Sequence, residues 1–229
     1  MLSERSELIY RHGMEQIFSD FILSHTSFGS FLMLRKEQHK EIIIIGIKMV
    51  ENKFDNLFIK YGIEYHVDPL LLKAQVRQES NFNPNAFNRA SGAKGLAQFI
   101  DRTWDEWCDL VPGIQRNISN YDPFNPDQSI HAQAAYMSFL IKLIDQKLSQ
   151  TMSDKDYLMH WALAAYNWGI GNILGRVVKG KVKMGMIQFA KFNYEFAEKY
   201  LPHETANYVK QIMKYYCEYQ QKEYDNAKK

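Results

Sequence analysis

Apolar residues recur three or four positions apart along most of the chain from residue 51 to residue 219, and this periodicity is the feature that most constrains its fold. Such spacing places apolar side chains on one face of a helix, whereas a half-buried strand needs apolar and polar residues in alternation. No segment of strand length alternates convincingly in this way. The sequence therefore predicts an all-α fold.

Helix start and stop signals mark the boundaries of the predicted helices. The four predicted starts are Asp68-Pro69, Asn125-Pro126, Ser153-Asp154 and the residue after Pro202. An Asp or Asn before proline is typical of an N-cap followed by the first helical residue. The first of these helices is predicted to end at Asn83-Pro84, because the residue before a proline disfavours helical backbone. Gly169 and Gly171 are predicted to end the third.

Charge and metal-ligand patterns argue against several classes of function. Lys and Arg total 28 against 26 Asp and Glu, and they are dispersed, so the net charge of +2 provides no basic stripe for a nucleic acid. The seven histidines show no HExxH or HxxxH spacing, and we expect no metal site and no cofactor. Cys108 and Cys217 lie in no CxxC motif and are interpreted as free, packed thiols.

The first 50 residues differ from the rest of the chain. They contain apolar residues at helical spacing and then a Ser/Gly break at Ser27 to Ser30. We expect residues 1–50 to form a helical appendage that docks on a main domain of residues 51–229, although a partner-binding or membrane-surface helix stays open. The longest apolar run, Ile42–Ile47, is far shorter than the roughly 20 residues that span a bilayer, so no stable membrane insertion is expected.

Glu79 is the first candidate for chemistry. It lies seven residues after Leu72 and three after Val76, so a helix places its carboxyl group on the apolar stripe, in the last turn. Burial and the negative end of the helix dipole both raise the pKa of a carboxyl group. An acid that stays protonated near neutral pH is what a glycosidic oxygen needs in order to leave. A partly exposed glutamate at a helix end is the alternative, and position alone does not exclude it.

Four sequence blocks follow one another in a fixed order. They are Glu79-Ser80, Gly95-Leu96-Ala97-Gln98-Phe99, Ala164-Ala165-Tyr166-Asn167 and Glu204-Thr205-Ala206-Asn207-Tyr208-Val209. In this order and at these separations, residues 52 to 219 resemble the soluble lytic transglycosylase (SLT) family, whose catalytic domain is goose-lysozyme-like. Ala97 departs from the family pattern, which usually has Met there. The resemblance implies a lysozyme-like helical domain with a substrate cleft.

The resemblance also implies a reaction on peptidoglycan. Glu79 would protonate the oxygen of the β-1,4 bond between N-acetylmuramic acid and N-acetylglucosamine. Its carboxylate would then take the proton of the muramyl C6 hydroxyl, which closes onto C1 as a 1,6-anhydro ring. No water is consumed, so the second carboxylate of most glycosidases is unnecessary.

The other blocks supply the remaining site residues that the resemblance implies. Tyr208 would hydrogen-bond Glu79 and hold it in position. Tyr166 and Asn167 would line the cleft, and Ser80 and Gln98 would offer polar contacts to the sugar. Phe99 is open to two interpretations, a ring that packs on a sugar face or a core residue.

Two other functions stay open at this point. Asp101 or Asp105 would position a water if the chain is a hydrolytic muramidase of the same fold, an inverting lysozyme. The chain would otherwise be a non-catalytic peptidoglycan-binding part of a larger assembly. Met1–Glu7 is not followed by the apolar stretch of a secretory signal peptide. Because members of the family are usually exported, the resemblance then implies a phage enzyme that acts on the cell wall or periplasm and is carried by a virion or released at host lysis. A trimmed or replaced leader and export by a dedicated secretion machine stay open as alternatives.

Overall fold

The computed structural model describes residues 52–101, 103–104, 122–148, 158–178 and 199–228. Its longer helices are α1 (Asp55–Tyr65), α2 (Pro69–Ser80), α3 (Pro126–Leu148), α4 (Leu158–Trp168) and α5 (His203–Ala227). A single helical turn, Ile170–Asn172, follows α4 and continues into a π-helical segment, Ile173–Val178. Within the described ranges no residue belongs to a β-strand, which confirms the all-α prediction. The predicted appendage of residues 1–50 lies outside the described residues.

The start of α2 follows the predicted signal, but its end does not. Asp68 caps the helix, because its Oδ1 accepts a hydrogen bond from the Leu70 backbone N–H at 2.8 Å, and Pro69 is the first helical residue. The helix then ends at Ser80, earlier than the predicted stop at Asn83-Pro84. The reason is local: Asn81 has a left-handed backbone with φ 49°, and its N–H bonds the Arg77 carbonyl. Proline is therefore not what stops this helix.

The other predicted boundaries are met in part. α3 begins at Pro126, and the Asn125 side chain accepts a hydrogen bond from the Asp127 N–H at 3.0 Å. α5 begins after Pro202 as predicted. α4 ends before Gly169, which has φ 89°, whereas Gly171 lies inside the following helical turn and ends nothing. The predicted start at Ser153-Asp154 lies outside the described residues.

The core lies between the five helices. α2 packs against α1 and α5, α3 packs against α1 and α4, and α4 also packs against α5. The predicted stripe is the buried face of α2, since Leu72 and Val76 have no exposed surface. Burial of each such side chain contributes about 1.5–3 kcal/mol. The largest fully buried side chains are Phe58, Leu71, Leu72, Leu96, Ile130, Met137, Leu140, Ile144, Trp161, Leu163 and Ile173.

Two further features concern expectations from the sequence. Cys217 is a free cysteine but is exposed on α5, so its interpretation as a packed thiol is wrong, while Cys108 lies outside the described residues. None of the helices in the described ranges combines the length and the apolar character needed to cross a bilayer.

The loop after α2 approaches the backbone of the segment that precedes α3 closely at Gly95. Isolated β-bridges join Phe87 to Lys94 and Lys94 to Phe99. Gly95 has φ +72°, and a Cβ atom built on it would lie 1.8 Å from the Pro123 carbonyl oxygen. Only glycine permits both this backbone conformation and this approach.

We predict that Gly95→Ala destabilises the protein far more than Gly92→Ala. Both glycines have a left-handed backbone, but a Cβ on Gly92, at φ +75°, would meet nothing within 4 Å. The control therefore loses only the backbone term, about 1–2 kcal/mol, whereas Gly95→Ala adds a steric clash of about 1–3 kcal/mol. Urea unfolding of the two variants measures the difference. Equal losses would contradict the assigned contact.

Candidate active site

Glu79 and Tyr208 are in direct contact. Glu79 lies in the last turn of α2, as predicted, and the Tyr208 hydroxyl of α5 donates a hydrogen bond to its Oε1 at 2.5 Å. Tyr208 is buried, with 7% of its surface exposed, whereas Glu79 keeps part of its surface accessible. A carboxyl group that transfers a proton to a substrate must be accessible, and a buried hydrogen-bond partner can hold it in a fixed position. Glu79 and Tyr208 fit these two requirements.

The surroundings of Glu79 favour its protonated form. Burial raises the pKa of Glu79 from its ordinary value of 4.5 to about 7, against the opposing effect of the Tyr208 hydrogen bond. Burial, together with the negative charge of Glu79, raises the pKa of Tyr166 and Tyr208 well above the ordinary phenol value. Both tyrosines therefore stay protonated, while Glu79 exchanges its proton near neutral pH.

Two buried glutamine side chains, neither of them predicted from the sequence, extend the hydrogen-bond network from Tyr208 into the core. Gln75 of α2 donates from Nε2 to the Tyr208 hydroxyl at 3.1 Å, and Gln133 of α3 donates from Nε2 to Gln75 Oε1 at 2.9 Å. Neither glutamine has exposed surface. Gln75 precedes Glu79 by one helical turn, so its place on the same face was the available signal. Nothing in the sequence near Gln133 indicated its role.

Tyr166 joins the end of α4 to the Gly95–Phe99 block. Its hydroxyl donates to the Ala97 carbonyl at 2.8 Å, and the Ala97 N–H in turn donates to Ser129 Oγ at 3.2 Å. Ala97 itself has no exposed surface. The block is therefore fixed to both α3 and α4, and Tyr166 lies near enough to Glu79 to feel its charge.

The remaining residues of the first two blocks are used by the fold. Phe99 is 3% exposed and packs against Trp104, Tyr136 and Tyr166, so its burial fits the core interpretation and leaves no ring face open to a sugar. Gln98 donates from Nε2 to the backbone carbonyls of Ala86 and Gly95. Ser80 donates to the Val76 carbonyl at 3.2 Å. Gln98 and Ser80 both keep side-chain oxygens able to accept a hydrogen bond.

Asn167 lines an open groove that is also lined by Tyr208, the hydrogen-bond partner of Glu79. Its Oδ1 accepts a hydrogen bond from the buried Thr205 hydroxyl at 2.7 Å, which orients the amide nitrogen as a donor. The groove has a volume of about 980 Å³, and its lining includes Asn167, Tyr208, Glu204 and Lys214. Ligand pockets commonly measure about 300–1,000 Å³, so the groove is large enough for part of a glycan.

The structure gives no support for a water-positioning role of the two aspartates considered for hydrolysis. The Asp101 side chain is 71% exposed and forms an ion pair with Lys94, while Asp105 lies outside the described residues. In the part of the chain that the structure describes, no three His, Cys, Asp or Glu side chains are grouped so as to hold a metal ion.

We predict that Glu79→Gln changes how stability depends on pH. Because the folded-state pKa of Glu79 is raised, its contribution to stability is fully present below about pH 4.5 and is lost as pH rises through about 7. The neutral amide avoids this loss, so the variant should gain roughly 2–3 kcal/mol relative to wild type between pH 4.5 and 8. Urea unfolding at the two pH values measures this gain.

Asp225→Asn is the control for that measurement. Asp225 is exposed on α5, 17 residues beyond Tyr208, which corresponds to about 25 Å along the helix. Its variant should follow the wild-type pH dependence. A Glu79→Gln curve parallel to wild type would show that Glu79 has no raised pKa.

Comparison with known proteins places this chain in a family. The family model of the transglycosylase SLT domain matches residues 56–184, a range that includes Glu79, Tyr166 and Asn167 and ends before Tyr208. The described fold is similar to that of the 70-kDa soluble lytic transglycosylase in its complex with bulgecin A. The TM-score is 0.55 and the identity 24%, over 74% of this chain and 24% of that one.

Two curated relatives carry related names. Membrane-bound lytic murein transglycosylase C of Photorhabdus laumondii is 29% identical over 174 residues, which cover 71% of this chain and 47% of the relative. Membrane-bound lytic murein transglycosylase F of Yersinia pestis is 30% identical over 184 residues, covering 74% of this chain and 34% of the relative. The chain thus spans half or less of the length of these relatives. Since the family model covers more than half of its residues, the chain belongs to the transglycosylase SLT domain family.

Proposed function

We propose that this chain is a lytic transglycosylase that cleaves the β-1,4 bond between N-acetylmuramic acid and N-acetylglucosamine in peptidoglycan. Membership of the SLT family and the names of the relatives support the substrate class. The observation that carries the proposal is the state of Glu79, an accessible carboxyl group whose pKa is raised to about 7 and which is held by Tyr208.

The proposed reaction uses Glu79 twice. Its protonated carboxyl group gives a proton to the glycosidic oxygen, which leaves with the electrons of the bond to C1. The resulting carboxylate accepts the proton of the muramyl C6 hydroxyl, and that oxygen bonds to C1 to close the 1,6-anhydro ring. The proton count on Glu79 is restored. A pKa near neutral suits both steps, because the acid is neither too weak to donate nor its anion too weak to accept.

Tyr208 supports the second half of this cycle. Its hydrogen bond stabilises the carboxylate that remains after the first proton transfer, because hydrogen bonds to charged groups are worth about 1.5–3 kcal/mol. The bond also fixes the orientation of the carboxyl group. Tyr208 therefore acts as a positioning residue for Glu79.

Substrate contacts are proposed for the polar atoms that the fold leaves available. Asn167 would donate from its amide nitrogen to an acetamido or hydroxyl oxygen in the groove, because Thr205 fixes its oxygen. The side-chain oxygens of Ser80 and Gln98 would accept from sugar hydroxyls. Tyr166 would act through the Ala97 carbonyl that it bonds, by holding the loop beside the acid.

Among the described residues no second carboxylate acts on the pKa of Glu79, which favours transglycosylation over hydrolysis. An inverting hydrolase needs a second carboxylate to activate water across the sugar ring. Asp101 is exposed and paired with Lys94, and among the described residues no other carboxylate contributes to the raised pKa of Glu79. A raised acid pKa also argues against a role limited to glycan binding, because binding does not require a transferable proton.

We predict that the wild-type chain releases muropeptides ending in 1,6-anhydro-muramic acid from purified peptidoglycan. These products are lighter by one water than the products of hydrolysis, so mass spectrometry separates the two. Reducing-end muramic acid would identify a muramidase instead. No released fragments from a folded sample would favour a binding or assembly role.

We predict that Glu79→Gln lowers the rate of product release by about 10²–10⁴-fold, because the amide keeps the shape and removes the proton. Tyr208→Phe should lower it less, by about 10–100-fold, because one hydrogen bond to a charged group is lost. Asp225→Asn, on the distant end of α5, should retain the wild-type rate. Undiminished lysis by Glu79→Gln would remove the acid from the mechanism.

A further inference from the structure

We propose that Gln133 and Gln75 form a relay that keeps Tyr208 as a hydrogen-bond donor to Glu79, and so confines the transferable proton to Oε2 of Glu79. The inference rests on the proposed function, since it assigns the atom from which the proposed acid acts. It concerns positioning residues, because neither glutamine contacts the carboxyl group itself.

The relay begins at a backbone carbonyl. Nε2 of Gln133 donates to the Leu72 carbonyl oxygen at 3.2 Å and to Gln75 Oε1 at 2.9 Å. A carbonyl oxygen can only accept, so the Gln133 atom that faces Leu72 must be the nitrogen. Both of its hydrogens are then used, one on α2 backbone and one on Gln75.

The orientation of Gln133, fixed by the Leu72 carbonyl, also fixes which group donates to Tyr208. Because Gln75 Oε1 accepts from Gln133, its Nε2 faces the other way and donates to the Tyr208 hydroxyl at 3.1 Å. The hydroxyl oxygen accepts from Gln75, and its own hydrogen points to Glu79 Oε1 at 2.5 Å. Every hydrogen bond from Gln133 to Glu79 therefore runs in one direction.

The opposite direction is disfavoured by the same groups. If Glu79 carried its proton on Oε1 and donated to Tyr208, the tyrosine hydrogen would lose its acceptor, and the other described partner of this hydroxyl is Gln75. Gln75 would have to turn its oxygen to Tyr208 and its NH₂ group to the NH₂ group of Gln133. Two donors would then face each other in a site without exposed surface, where an unpaired polar group costs the most. Acceptance by Oε1 of Glu79 is therefore favoured, which assigns the acid proton to Oε2.

An unsatisfied atom supports the assigned direction. Within the part of the chain that the structure describes, Gln133 Oε1 is buried and has no hydrogen-bond partner. A buried polar atom without a partner destabilises a fold, and an apolar residue at this position would avoid that cost. The loss of stability at Gln133 Oε1 is explained if this residue is needed for its two N–H donors, both of which reach an acceptor.

The relay also strengthens the donor. Donation from Gln75 lowers the pKa of Tyr208, against the larger effect of burial that raises it, and a more acidic hydroxyl donates more strongly. Among the described residues, the titratable groups whose pKa responds to the charge of Glu79 are Tyr208 of α5 and Tyr166 of α4. Both stay protonated around neutral pH, so a change at Gln75 reaches Glu79 through hydrogen-bond direction.

Direct titration of Glu79 tests the relay without relying on activity. The full chain carries ¹³C-labelled glutamate, the Glu79 signal is assigned with Glu79→Gln, and its pKa is measured by NMR. Gln75→Met frees Tyr208 to accept from the protonated acid, so the pKa of Glu79 should rise by about 0.5 to 1. Gln133→Met should cause a smaller rise in the same direction, because Gln75 is then free to turn. This second variant keeps the test available if Gln75→Met does not fold.

The decisive comparison uses the Tyr208→Phe background. Phenylalanine lacks the hydroxyl through which the relay acts. Adding Gln75→Met in this background should therefore produce no further rise in the pKa of Glu79. An equal rise in both backgrounds would overturn the relay and leave Gln75 as part of the general polarity of the core. Ile144→Val, a loss of core packing farther along α3, should leave the titration unchanged and so controls for reduced stability.

The kinetic readout separates this proposal from the proposed function. Gln75→Met should lower kcat several-fold with KM unchanged and shift the pH profile of kcat upward, since the acid is misdirected and substrate contacts are not. Wild-type protein that releases no anhydro products would defeat the proposed function, while the titration still decides whether the relay exists. Active protein with unchanged titration and kcat in both glutamine variants would defeat the relay alone.

Discussion

The hydrogen bond from Tyr208 to Glu79 is the interaction on which the site depends. It joins the last turn of α2 to the first turns of α5, two helices whose contacting residues are 129 positions apart in sequence. The bond has its present geometry only because α2 and α5 pack against each other along an apolar face. Packing of the core therefore sets the distance between the acid and the group that positions it.

Two opposing effects decide the protonation state of Glu79. Burial disfavours the ionised carboxylate, whereas the Tyr208 hydroxyl stabilises it. Burial is the larger effect, and the resulting pKa of about 7 lies between that of an exposed glutamate and that of a group unable to ionise. Weakening either effect would move the pKa of Glu79 away from neutral, where the proposed acid and base roles both require it.

The sequence predicts most of the local structure that leads to Glu79. Asp68 and Pro69 signal the start of α2 because capping chemistry is local, and the stripe through Leu72 and Val76 places Glu79 correctly. Phe99 could not be assigned, since an aromatic residue suits both a sugar and a core until its neighbours are known. Gln133 could not be found at all, because its role depends on contacts with α2 that form only in the folded chain.

In the proposed relay, the two buried amides are polar residues kept in the core for the chemistry of Glu79. Gln75 and Gln133 occupy positions between helices where apolar side chains would pack without leaving Gln133 Oε1 unpaired. A core built for stability alone has no need of them. Hydrogen-bond direction, however, cannot be supplied by apolar packing, because only polar groups distinguish donor from acceptor. Under the proposed function, the polar path from Leu72 to Glu79 serves to position the acid, and it lies inside the core because Tyr208 is anchored there.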